Sequence, residues 1–105
     1  MIGSTEVNRK KITRGSILEK LYASQSMPMM VQTLELALLP ENPQINADMV
    51  PCLNFLADRG YILVIRPEEP DINPMRGVLV RITDKGQDVV EGTVKDASIV
   101  IAGGR

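Results

Sequence analysis

The feature that most constrains this chain is a change of period at Gly60. Up to that residue the apolar positions recur at helical spacing. Just beyond it come two short runs, YILVIR (61–66) and GVLVRI (77–82), rich in β-branched and aliphatic residues. Such runs suit a pleated, half-buried surface rather than a helix. Between them lies RPEEPDINPMRG (66–77), a loop with three prolines and three carboxylates. Two strands joined this way form a hairpin with a long connection. Helices followed by a hairpin make an α+β chain. Gly60 itself fits the left-handed position that ends a helix.

The helical part divides into three. Thr13 and Ser16 are both able to cap, and Ser16 has Glu19 three residues on in a capping-box arrangement. Ile17, Leu18, Leu21 and Tyr22 then share one face, which predicts a first helix over about 14–24. Pro28 is tolerated in a first turn, so a second helix is expected over about 28–39, stopping before Pro40. Its core stripe is Met30, Val31, Leu34 and Leu38. Leu36 and Leu39 lie off that stripe and call for another cover. An extended piece is expected near Ile45. A third helix, capped by Asn46, buries Val50, Leu53, Leu56 and Ala57, with Pro51 as an awkward residue near its start. After the hairpin, Thr83 or Asp84 caps a short last helix that Gly86 and Gly92 weaken.

Composition narrows the chemistry. With 105 residues the chain makes one domain, and with 44% hydrophobic and 3% aromatic residues its core must be aliphatic. There is no histidine and a single cysteine, Cys52. The commonest general base, the imidazole metal ligand and a zinc-thiolate site are all missing. No pair of carboxylates or lysines stands out and no phosphate-cradling loop is present, so no enzyme, metal site or cofactor is expected. Cys52 reads as a buried structural thiol, and Met27, Met29 and Met30 as core filling. No run approaches the length needed to span a bilayer, no secretory leader is visible, and a reducing cytoplasm is the expected setting. The 12 basic and 13 acidic residues leave a net charge of −1, without the basic surplus of a dedicated nucleic-acid binder.

Two stretches carry a family resemblance. LNFLADRGYILV, with Leu53, Leu56 and Gly60, and VRITDKGQDVVEG, with Ile82, Thr83 and Gly86, resemble winged-helix regulators of the MarR and PadR type. There a leucine-rich third helix ends in a glycine before a strand, and the second strand runs into a Thr-x-x-Gly turn before the last helix. ITDKGQDVVEGTVKDASI is similar, more faintly, to small winged-helix proteins of Mu-like phages. The resemblance implies a single winged-helix domain: a three-helix bundle, a β-hairpin wing and a short C-terminal helix. The domain would cover 13–97, after a flexible basic arm (1–12) and before an apolar, then flexible, tail (98–105).

It also implies a function. In the family the third helix enters the major groove and the wing touches the backbone. Ala47, Asp48, Pro51, Asn54 and Asp58 would then form the outward face, with Asn54 suited to an adenine edge. Arg9, Lys10, Lys11 and Arg14 would grip phosphates of double-stranded DNA, with Arg59, Arg76 and Arg81 assisting. The leading reading is a small DNA-binding or transcription-associated protein, phage- or prophage-encoded. A homodimer is expected from Leu36, Leu39 and the apolar SIVIA tail. The alternative is a protein-contact module without DNA, using Leu36, Leu39 and the acidic loop residues Glu68, Glu69 and Asp71. Phosphates repel those carboxylates, and they can instead pair with Arg66, Arg76 and Arg81.

Overall fold

The computed structural model describes residues 2–24, 27–68 and 76–102, with side chains from residue 5 onward. Its elements run α1 (Ile2–Ala23), β1 (Met29–Met30), α2 (Val31–Leu38), α3 (Ile45–Asp58), β2 (Ile62–Ile65), β3 (Leu79–Ile82) and α4 (Asp84–Glu91). The three strands form one antiparallel sheet in the order β1-β3-β2. This is an α+β fold, as the period change at Gly60 requires. No helix among the described residues is long and apolar enough to cross a membrane.

The hairpin sits where its composition placed it, with Leu63 opposite Arg81 and Ile65 opposite Leu79. Alternation turns Ile62, Val80 and Ile82 into the core and Leu63 and Arg81 to the open face. Gly60 is left-handed, at φ 79°. Thr83 caps α4 by accepting from the Gly86 N–H at 3.1 Å, and its hydroxyl donates to the Gly60 carbonyl at 2.6 Å. A Cβ at Gly86 would collide with the Tyr61 carbonyl oxygen, so helix and strand approach that closely only with glycine there. Gly92 ends α4 in the left-handed region.

The core is aliphatic. Ile17, Leu18 and Leu21 of α1, Val31, Leu34 and Leu38 of α2, and Met49, Leu53 and Leu56 of α3 pack against the buried strand residues. Each fully buried leucine is worth about 1.5–3 kcal/mol relative to exposure. Cys52 is buried among them, and burial raises its thiol pKa, as expected of a structural cysteine.

Several expectations need correction. The first helix does not begin near 14. Residues 2–12, read as a flexible arm, form the first half of α1. Thr13 and Ser16 are therefore interior, and the Thr13 hydroxyl donates back to the Arg9 carbonyl at 2.8 Å instead of capping. Met30 is not in the α2 stripe. It pairs with Leu79 in the short strand β1 and is 44% exposed. Met27, too, is exposed rather than core filling. Ile45 is not extended but opens α3, whose N-cap is Gln44 rather than Asn46. Val50 is exposed, and Met49 takes the buried place expected of it. Pro51 sits inside α3 on the exposed side, where the carbonyl its missing N–H leaves free can face water.

Residues 98–102, read as the apolar part of a tail for self-association, pack on the chain's own α1. Ile99 is buried, and the Val100 N–H donates to the Lys11 carbonyl at 3.1 Å. Gly15 permits this, since a Cβ there would collide with the Val100 carbonyl oxygen. Residues 93–102 form a strap laid over α1. Gly103, Gly104 and Arg105 lie outside the described residues.

Candidate functional site

The most developed polar feature is built on Asp48, which sequence reasoning placed on the outward face of α3. It is 3% exposed. Arg9, from the amino half of α1, donates to it through Nε at 2.8 Å and Nη2 at 3.1 Å, a bidentate pair. Asn42, in the α2–α3 turn, donates to Asp48 at 2.9 Å and to Thr13 at 3.1 Å, while its own Oδ1 accepts from the Gln44 N–H at 2.9 Å. The hydrogen bonds from Arg9 lead in holding Asp48 below the ordinary carboxylate value, against the opposing effect of burial, with Asn42 assisting. A buried carboxylate is tolerated here because its acceptor sites meet donors from α1 and the turn.

Above this network runs a groove of about 360 Å³ between α1 and the α2–α3 turn, lined by Ile12, Leu38 and Ile45 and edged by Arg9, Ser16 and Glu41. Ile45 also lines an adjoining depression with Leu36, Leu39 and Glu35. Ile45, itself buried, is the residue common to both. Ile12 is exposed at the first, at 47%, and Leu36 and Leu39 at the second, at 72% and 43%. The surplus apolar face expected of α2 is therefore present.

A second polar cluster fastens the strap. Arg14 lies over the Phe55 ring at 3.7 Å and Arg59 at 4.5 Å, so one aromatic holds two guanidinium groups. Arg14 Nη1 donates to the Ser98 carbonyl at 3.0 Å, and Arg59 Nη1 donates to Asp96 at 2.9 Å. Asp96 also accepts from the Tyr61 hydroxyl at 2.6 Å and the Ser98 N–H at 2.8 Å. Burial pushes the Asp96 pKa up, but the hydrogen bonds from Tyr61 and Ser98 and the Arg59 charge outweigh it and hold the group low. The Tyr61 hydroxyl is raised, first by its hydrogen bond to Asp96.

Several of the residues expected at a DNA interface have partners within the domain. Arg9 is committed to Asp48; Arg14 and Arg59 are committed to Phe55 and the strap. Lys10 lies 3.8 Å from Glu6, one helical turn back, and Lys11 is half-buried beneath the strap's contact with its carbonyl. Arg81 is on the open face of the sheet, turned away from the buried strand residues. Asn54 is exposed on α3 as expected, and shares a shallow pocket with Arg66. Arg76 and Glu68 are exposed on either side of the loop; Glu69 and Asp71 lie outside the described residues. Among the described residues no group of acidic or sulfur side chains is set to hold a metal ion.

The Arg9–Asp48–Asn42–Thr13 network and the strap had no readable signal in the sequence, because their partners lie far apart along the chain. No family model, no curated protein and no solved structure matches this chain.

Proposed function

We propose that the chain is a winged-helix module that works by protein contact and does not read DNA. The order of helices, the hairpin after α3 and the Thr83-capped helix after it support the winged-helix reading. One observation carries the choice of function. Arg9 and Arg14, from the cluster expected to grip phosphates, and Arg59 are engaged by partners within the domain, and α3 contains no basic residue. Releasing an arginine from a bidentate carboxylate to meet a phosphate exchanges one charged partner for another and leaves Asp48 unpaired, so little net affinity remains.

Filter retention of random-sequence duplex DNA in low salt tests this reading. Nonspecific DNA-binding proteins associate at about 1–100 µM even at physiological salt. No retention is expected at the upper end of that range. Retention would overturn the protein-contact reading.

Duplex DNA remains the second reading, favoured by Asn54 and Arg66 sharing a pocket beside the hairpin. If DNA is retained, replacing Lys10 and Lys11 by alanine should lower the slope of log affinity against log salt by about two.

A further inference from the structure

The strap is held less firmly than the domain beneath it. Of residues 93–102 only Ile99 is buried. Its main-chain bonds to the rest of the domain run from the Val94 N–H to the Asp88 carbonyl and from the Val100 N–H to the Lys11 carbonyl, each at 3.1 Å. An exposed bond from the Ala102 N–H to Glu19 Oε1, at 3.0 Å, adds to them. The strap leaves α4 at the left-handed Gly92. A segment with little buried apolar surface and exposed hydrogen bonds opens at lower cost than a core.

The face under the strap is shaped for a chain segment. At Gly15 a Cβ would collide with the Val100 carbonyl oxygen, so the strap's main chain lies against bare helix backbone. Arg14 Nη1 meets the Ser98 carbonyl, while Arg59 Nη1 and the Tyr61 hydroxyl meet the Asp96 carboxylate. The strap presents these groups from one turn: Asp96 accepts from the Ser98 N–H, and the Ile99 N–H donates to the Asp96 carbonyl at 3.0 Å. Phe55 carries both guanidinium groups, so opening the strap would leave two like charges on one ring without that carboxylate. We infer that the strap is an autoinhibitory segment, occupying in cis a docking face for a segment of a partner protein. What the strap presents is what that segment must present: an aspartate-led turn with an aliphatic side chain three residues on. This inference rests on the protein-contact reading and deepens it by naming the face and the partner's chemistry.

The test uses the full chain, isotopically labelled, and a synthetic peptide of residues 93–102. In native-state hydrogen exchange of the parent, the Val94 and Val100 amides should exchange at least about tenfold faster than those of β3 bonded to β2. Equal rates would mean that the strap opens only with the whole domain, and would overturn the inference. The double variant Asp96→Asn/Ile99→Ala should open the strap and leave the β2 and β3 resonances unchanged. It should bind the peptide at least about tenfold more tightly than the parent, whose own strap competes. Shifts are expected at Lys11, Gly15, Phe55 and Arg59. The Asp96→Asn peptide should bind at least about tenfold more weakly than the peptide of natural sequence, having lost a charged acceptor. If the double variant unfolds, the full chain with Asp96→Asn alone carries the same comparison. Equal binding by parent and variant, equal binding of a scrambled peptide, or no shifts would overturn the docking face. So would light scattering that shows a parent dimer dispersed by Ile99→Asp, because the strap of a second copy would then be the occupant. DNA retention on filters overturns the protein-contact reading itself, whereas a failed peptide titration without DNA retention removes the docking face alone.

Discussion

At the scale of single residues, Asp48 decides most. A carboxylate on a helix is ordinarily solvated, so its sequence context gave no reason to bury it. Burial follows from Arg9 on another helix, a partner that periodicity cannot reveal. The lowered pKa of Asp48 has a consequence for acid stability. A group held below its unfolded value contributes stability that is complete above that value, near pH 4, and is lost as pH falls through the folded value. Asp48→Asn should therefore lower the melting temperature at pH 7 by about 5 °C. The gap between variant and parent should narrow below about pH 4, as the parent loses the same contribution. Melting curves from pH 7 to pH 2.5 check this; a gap that widens on acidification would contradict it.

At the scale of elements, legibility followed pattern strength. β2 and β3 were readable because β-branched runs in alternation have few other uses, and α4 because Thr83 marks its start; Gly92, read as weakening the helix, in fact ends it. The first half of α1 was not readable, since it has no apolar stripe and is held by Arg9 and the i,i+4 contact of Lys10 with Glu6. A strand of two residues, β1, is too short to show a period. Residues 98–102 of the strap were read as part of an apolar tail for self-association because their docking depends on an absent side chain, that of Gly15. Gly15→Ala separates the two effects at that position. Helix propensity alone would stabilise the protein by about 1 kcal/mol. Collision with the Val100 carbonyl predicts the opposite sign: a lower melting temperature and faster tryptic cleavage after Lys95. A higher melting temperature with unchanged cleavage would show that the strap does not depend on Gly15.

At the scale of the whole molecule, the radius of gyration of 13.3 Å is that of one packed domain of this length, expected near 13 Å. Three of the charges that sequence assigned to an external partner help to hold this domain together. Arg9 ties α1 to α3, while Arg14 and Arg59 tie the strap to Phe55. The apolar surplus of α2, Leu36 and Leu39, stays outside. That these arginines are held by partners within the domain while the α2 leucines stay exposed is the central claim, and nuclear magnetic resonance of the arginine side chains tests it most directly. The guanidinium signals of Arg9, Arg14 and Arg59 should be individually resolved and unmoved by excess duplex DNA, with the Arg9 Nε–H, bonded to Asp48, slow to exchange with water. Collapse of the three into the averaged signal of solvated arginines, or a concerted shift on adding DNA, would contradict the account.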